Sequence, residues 1–357
     1  MLTDRMLTDL HSPTPENTAT AARPATSSLD IPAGTAYQLH AITTACGVSA
    51  LDNRSKLLIS GEDRTRWLNG MVTNNVRDLA PEHGVYAFLL NAQGRIQGDL
   101  YAFNRDANIV LDVDLSQTAK LTEILDRFIV MDDVTIEDIT HRFSSISVQG
   151  PNARAVLQAI ALEAPELEPL QLAQLSWRGH EITLLRSELW KGETYEIWLA
   201  PEHASALLDA LTQAGAAHNG PDAERLYRIA SGIPLFGEDI RERDLPQETG
   251  QERALHFAKG CYVGQEIVER IRSRGQVHRV FSGFELSASC TPGDKIEADG
   301  KEVGEITSTA VFRGLRTEDP RIIGLGYLRR EAFNKTLTVH GAPVQRHELP
   351  FQKLLQA

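Results

Sequence analysis

The chain of 357 residues reads as an α+β protein, with two related modules of antiparallel sheet and helix followed by a small antiparallel β-barrel. Three observations predict it. Between Ser55 and Ile129 the hydrophobic period switches between two and 3.6, in the order strand, helix, hairpin, strand, helix. A similar alternation restarts near Phe143, without a repeat visible residue by residue. From Gln276 onward only short strand-like runs remain, divided by turn residues. With 42% hydrophobic residues, a chain of this length can bury cores in two or three domains.

The elements follow in order. Ser55 to Ser60 alternates as a strand, and Gly61-Glu62-Asp63 opens a helix whose apolar face is Trp67, Leu68, Met71 and Val72. Val85 to Asn91 and Ile96 to Phe103 form a hairpin around Ala92-Gln93-Gly94. Asn108 to Val113 is a strand. Ser116 is the expected N-cap of a helix that buries Leu121, Ile124, Leu125, Phe128 and Ile129. In the second run Ser144 to Val148 is a strand, Gly150-Pro151 breaks it, and Asn152 leads a helix to Ile160. A hairpin centres on Arg178-Gly179-His180, a strand covers Tyr195 to Leu199, and helices span Pro201 to Ala214 and Ala223 to Ser231. The turns Pro292-Gly293-Asp294, Asp299-Gly300-Lys301 and Gly324-Leu325-Gly326 then space strands as a small barrel does.

Composition narrows the function. Lysine and arginine number 36 against 48 acids, a net charge of −12 that argues against direct nucleic-acid binding. Cys46, Cys261 and Cys290 lie far apart with no CxxC spacing, which argues against a disulfide scaffold and against a self-contained zinc or cluster site. No run of 18 apolar residues offers a membrane span, and the protein is read as cytoplasmic. The N-terminus repeats Met1-Leu2-Thr3-Asp4 as Met6-Leu7-Thr8-Asp9 before a Pro/Thr/Ala/Ser-rich tract, so residues 1–35 are read as a disordered tail, compatible with a start codon placed too early.

One octapeptide has the composition of a site: Lys259-Gly260-Cys261-Tyr262-Val263-Gly264-Gln265-Glu266. Glycines at 260 and 264 permit close backbone approach to the thiol, and alanine at either is expected to perturb the loop. Lys259 would favour the thiolate if its ammonium lay beside the sulfur. Tyr262, Gln265 and Glu266 would complete the shell, with Tyr262 stacking on a flat ligand. The plain alternative is a strand-edge turn around an inert, buried cysteine. From Lys259 to Arg279 the bases are Lys259, Arg270, Arg272, Arg274 and Arg279 against Glu266 and Glu269, a basic island in an acidic chain that would draw a small anionic ligand.

The segment Phe257 to Val268, followed by Arg274-Gly275 and Arg279, resembles the signature of the YgfZ family, folate-binding relatives of the glycine-cleavage T-protein that support iron–sulfur protein maturation. Trp67 to Val76, Leu90 to Ile96, Gly232-Ile233-Pro234 and Leu245 to Glu248 resemble other parts of the same family, in family order. The resemblance implies three domains around a central folate site: residues 36–142 completed by 221–275, residues 143–220, and a barrel over 276–357. It implies tetrahydrofolate, or a one-carbon derivative, as cofactor, and iron–sulfur client or assembly proteins as partners.

Site residues carry over position by position. Tyr227 to Gly232 resembles a T-protein helix whose arginine helps bind the folate-linked substrate, which nominates Arg228. Gly192 to Ile197 resembles the stretch whose final glutamate holds the pterin, which nominates Glu196, with Glu193 as the alternative. In the first hairpin T-proteins carry Gly-Gly-Ile-x-Asp-Asp, whereas this chain reads Gly94-Arg95-Ile96-Gln97-Gly98-Asp99. Gly98 stands where the first acid would manage proton movement at the folate nitrogen, which argues against aminomethyl transfer and leaves Asp99 as a weaker site residue. Two functions therefore stand. One is a folate-binding accessory factor for iron–sulfur proteins that uses Cys261 and Lys259; the other is a folate-dependent one-carbon transferase of the T-protein type. A scaffold that binds partners through the basic island is the third, and it predicts a silent Cys261→Ala.

Overall fold

Alternating apolar residues and glycine breaks give the chain its element order, which the computed structural model describes for residues 33–188, 193–312, 320–351 and 354. Residues 1–32, Gly192 and the Arg274 side chain, on which some of the expectations fall, lie outside the described part. A helix not anticipated from the sequence comes first: α1 (Ala33–Thr44) buries Leu39 and Ile42 and leads into β1 (Gly47–Ala50). Then follow β2 (Arg54–Ser60), α2 (Arg64–Met71), β3 (His83–Leu90), β4 (Ile96–Asn104), β5 (Ile109–Asp114), α3 (Thr118–Asp126) and β6 (Thr135–Asp138). The second run gives β7 (Ser144–Gln149), α4 (Ala153–Ala159), β8 (Leu172–Trp177), β9 (His180–Arg186), β10 (Tyr195–Leu199), α5 (Ala204–Gln213) and β11 (Ala217–His218). Helices α6 (Pro221–Ser231) and α7 (Gln265–Arg274) precede β12 (Arg279–Leu286), β13 (Lys295–Ala298), β14 (Lys301–Phe312), β15 (Arg321–Arg329), β16 (Leu337–Val339) and β17 (Ala342–His347).

The strands form three sheets. One is five-stranded in the order β3-β4-β5-β2-β6, one is six-stranded in the order β11-β1-β7-β10-β9-β8, and β12-β15-β14-β13-β16-β17 close a barrel. This is the α+β architecture that the sequence predicts. Strand β1 pairs with β7 and β11 rather than with β2, so residues 47–50 belong to the six-stranded sheet.

Two local expectations are corrected. Asp114, not Ser116, caps the turn before α3, its carboxylate accepting the Ser116 N–H at 3.0 Å, and the α-helix proper begins at Thr118. Phe128 falls beyond the end of α3 and is exposed, so the buried stripe narrows to Leu121 and Leu125 with Ile124 and Ile129 half-buried.

Each sheet hides one face under its own helices. Leu57, Ile59, Ala87, Leu89, Leu100, Ala102, Leu111 and Val113 meet Trp67, Leu68, Leu121 and Leu125 of α2 and α3. Val48, Ile146, Val148, Leu184, Tyr195, Ile197 and Leu199 meet Val156, Leu157, Leu207 and Leu211 of α4 and α5. The alternation of the pleat sends the intervening residues to the other face of each sheet. These two remaining faces share a core of Phe103, Val110, Leu172, Leu185 and Trp198, with the Phe103 and Trp198 rings edge to face at 5.2 Å.

The segment between α6 and α7 ties this body to the barrel through buried acids. Gly232 ends α6 in the left-handed conformation, φ 70°. Asp239, with no exposed side-chain surface, accepts from Arg228 of α6 at 2.6 Å and from the Thr307 and Ser308 hydroxyls of β14 at 2.5 and 2.7 Å. Asp244 and Glu248 receive Arg279 of β12 at 2.6 and 3.0 Å. Asp239→Ala removes the acceptor that Arg228, Thr307 and Ser308 share, leaving them Glu238 and the Ile233 and Leu325 carbonyls, and is expected to cost about 2 kcal/mol or more of stability. Urea denaturation of the variant checks this; a loss of under about 1 kcal/mol would mean the pairing carries little.

Candidate functional site

The inward faces of the two sheets are apolar at one end and charged at the other. On the five-stranded sheet Tyr86, Tyr101, Asp112 and Lys56 stand directly opposite one another across β3, β4, β5 and β2, so they share a face. On the six-stranded sheet Glu196 stands opposite Ser147, which stands opposite Ser49. Trp198, two residues beyond Glu196, carries its ring beneath the Lys56 ammonium, Nζ lying 4.5 Å from the ring centroid.

The charges here are mutually dependent. Arg54 Nε and Lys56 Nζ both reach Asp112 Oδ1, at 2.9 and 3.1 Å. Burial works against the charge on Arg54, yet Asp112, Glu196 and Tyr101 outweigh it and hold the guanidinium above its ordinary pKa. Burial lowers Lys56 in spite of Asp112. Burial, reinforced by the Asp112 charge, raises the Glu196 carboxyl, while Lys56, Arg54 and the Trp198 indole N–H pull it down. Glu196 Oε2 is buried and makes no hydrogen bond of good geometry among the described residues, and the Trp198 indole N–H that bears on this carboxyl makes none either. An unpaired buried carboxylate oxygen costs free energy until a donor arrives.

Asp99 lies on the same inward face as Tyr101. Its Oδ2 accepts the Tyr86 hydroxyl and its Oδ1 the Gln117 amide, both at 2.7 Å. Arg253 lies over the Tyr86 ring at 4.0 Å, donates to the Tyr101 hydroxyl at 3.4 Å and pairs with Glu188. Gly98 faces the other way. A Cβ built there would stand 2.6 Å from Leu121 Cδ2 of α3, so its lack of a carboxylate removes nothing from the inter-sheet face. The sequence argument against transfer chemistry from Gly98 therefore lapses, and the acid on the inter-sheet face is Asp99.

Other expected residues are placed elsewhere. Arg228 directs its guanidinium to Asp239, Glu238, Ser308 and the Ile233 carbonyl, so the carboxylates it grips belong to the chain itself. Glu193 is bidentate to Arg154, at 2.7 and 2.9 Å, which leaves Glu196 as the glutamate with an open oxygen.

The octapeptide is a surface loop stitched down by its neighbours. Lys259, 7% exposed, spends its three donors on the carbonyls of Asn69, Val72 and Asn74 at 2.6, 2.7 and 2.6 Å, so none remains for the Cys261 sulfur. Burial, with a lesser push from Arg77, lowers this ammonium to about 7. Cys261 itself is exposed, whereas burial pushes Cys46 and Cys290 up to about 12. Tyr262 is no open stacking platform; it is buried among Tyr86, Phe88, Leu90 and Val268. Gln265 caps the loop by accepting the Tyr262 N–H at 3.3 Å, and Glu266 is exposed in the first turn of α7. The basic island is thinner than its composition suggests, since Lys259 and Arg279 both turn inward.

The sequence reading missed Arg54, Lys56, Asp112, Tyr86, Tyr101 and Arg253. A signal existed for three of them: charged residues at alternate positions of one strand, and an aspartate inside the apolar run Ile109–Asp114, need a buried partner. Among the described residues no group of three His, Cys, Asp or Glu side chains could hold a metal ion, and no helix is long and apolar enough to cross a membrane.

Two sheet-and-helix modules followed by a closed six-stranded barrel are a fold already seen in a solved structure. The glycine cleavage system aminomethyltransferase T of Bartonella henselae superposes with a TM-score of 0.78 over 89% of each chain, at 19% identity. Residues 24–259 match the GCVT N-terminal domain model, and the chain belongs to that family. It is 27% identical over 328 residues to the aminomethyltransferase of Rubrobacter xylanophilus, covering 90% of this chain and 87% of that one. It is 26% identical over 339 residues to the aminomethyltransferase of a Picosynechococcus species, covering 90% of each.

The two glycines of the octapeptide separate. Gly264 has φ 83°, and a Cβ there would lie 2.6 Å from the Asn91 carbonyl oxygen of the first hairpin. Gly260 meets nothing within 4 Å, which corrects the expectation that both are backbone requirements. Gly264→Ala is expected to lose about 2 kcal/mol or more, and Gly260→Ala to stay within about 0.5 kcal/mol of wild type, in matched urea melts.

Proposed function

We propose that this chain binds tetrahydrofolate between its two sheets and uses it in one-carbon transfer of the aminomethyltransferase kind. The observation that carries the reading is the buried, unpartnered Glu196 Oε2. A pterin ring presents an N3–H and a 2-amino group side by side, which is the donor pair an ionised carboxyl accepts. Tetrahydrofolate fits the donor set: Glu196 would hold the pterin, and the half-buried Tyr101 would offer it flat apolar contact, while Tyr86 and Trp198 are already covered by Arg253 and Lys56. When bound, the folate supplies the nitrogens that carry the one-carbon unit. Asp99, an acceptor already oriented by Tyr86 and Gln117, would hold or move a proton on the same face. Membership of the family and the relatives' names support transfer chemistry, and the inward-facing Asp99 removes the sequence objection to it.

Cys261 favours a second reading, in which the folate-loaded protein serves iron–sulfur protein maturation, as the YgfZ-like octapeptide implies. A thiolate is a soft ligand suited to iron, and an exposed one could meet a partner protein that supplies the remaining ligands. Titration calorimetry with 5-formyltetrahydrofolate is expected to give binding that Glu196→Gln weakens by about tenfold or more and Cys261→Ala leaves unchanged. Supplying aminomethylated lipoyl carrier protein and tetrahydrofolate then separates the two readings. Ammonia release that Asp99→Asn abolishes supports transfer. No ammonia, together with rescue of an iron–sulfur enzyme by wild type and not by Cys261→Ala in a strain lacking its own family member, supports maturation. Absence of folate binding by the wild type would sink both.

A further inference from the structure

Four charged side chains meet between the sheets with incomplete partnering. Arg54 and Lys56, two residues apart on β2, both face inward, and Arg54 makes a hydrogen bond of 2.9 Å to Asp112 Oδ1. Lys56, 1% exposed, has the same oxygen at 3.1 Å but no hydrogen bond of good geometry. Its Nζ stands over Trp198, the neighbour of Glu196 on the same face of β10. A buried ammonium with open donors and a buried carboxylate oxygen with no bond of good geometry thus face one inter-sheet interface.

We propose that Lys56 is the positioning residue that keeps Glu196 an open carboxylate in the gap, so that the site selects the paired N–H donors of a 2-amino-4-oxopteridine. This rests on the folate reading above. The charged and titratable groups around Glu196 are Asp112 from β5, Arg54 and Lys56 from β2, and Tyr101 from β4, which acts on Arg54. Burial and Asp112 favour the neutral acid. Arg54 is committed to Asp112 by its hydrogen bond and is the more solvated cation, with 21% of its side chain exposed; burial opposes the charge on Lys56 while Asp112 and Glu196 support it, and Lys56 is the cation with donors to spare. A protonated Glu196 would turn an O–H donor toward ligand donors and lose the pairing. Removing the Lys56 charge raises the pH at which Glu196 ionises, so the acid limb of ligand binding moves upward in pH.

The test uses the full chain with Lys56→Met, Lys56→Gln and Lys56→Arg. Carboxyl-labelled glutamate NMR, with the Glu196 resonance assigned through Glu196→Gln, gives its titration midpoint without any ligand. Calorimetry with 5-formyltetrahydrofolate across mildly acidic to neutral pH gives the binding profile. The expected result is a midpoint raised by about one unit or more in the Met and Gln variants, an affinity reduced about tenfold at pH values below both midpoints and much less above them, and recovery of both in Lys56→Arg. Lys56→Gln keeps the test decisive should the Met variant fail to fold. A midpoint that does not move overturns the role of Lys56, whatever the ligand. A moved midpoint in a protein that binds no 5-formyltetrahydrofolate overturns the ligand selection and the folate reading instead.

Discussion

The structure depends on how two sheets divide their faces. Each commits one face to its own helices, so whatever the pleat sends to the other side must be satisfied by the opposing sheet or by something between them. Where Phe103, Val110, Leu172, Leu185 and Trp198 meet, the sheets satisfy each other by packing. Where Arg54, Lys56, Asp112 and Glu196 meet they do so only in part, and a carboxylate oxygen remains without a donor. A purely structural interface would have closed this end with apolar residues, because a buried ion cluster seldom adds stability over a hydrophobic one. The charged end is therefore the part of the interface that its own packing does not explain.

The segment from α6 to α7 makes that gap a fixed feature. Its acids clamp Arg228 and Arg279, so α6, the barrel and the body hold one relation to one another. Lys259 and Gly264 fasten the octapeptide to the end of α2 and to the first hairpin, and Tyr262 fills the apolar cluster beside Tyr86 and Phe88. Most of what makes the octapeptide conspicuous is thus used in anchoring it. The thiol of Cys261 is what this anchoring leaves at the surface.

Much of the fold was legible in the sequence because strand and helix periods are local. The strand Tyr195–Leu199, the hairpin at Gly94 and the short-strand barrel all follow from alternation and turn residues. The failures are failures of distance and direction. The Lys259 partners are main-chain carbonyls 185 to 190 residues away, which no side-chain pattern announces. Arg228 is sensible for a ligand carboxylate, but Asp239 lies eleven residues on and takes the same fork. Gly98 and Asp99 are adjacent in sequence and opposite in facing, so the assignment of the missing acid turned on a one-residue parity. Glu196 was found through family likeness, while the reason it is available, its orphaned oxygen, needed the fold.

The most direct measurement of the central claim is a crystal structure of the chain with 5-formyltetrahydrofolate. The account predicts the pterin between the five- and six-stranded sheets, its 2-amino and N3 edge on Glu196 and its face against Tyr101. A pterin bound instead at the Cys261 loop or against Arg228, with the inter-sheet gap closed, would contradict it.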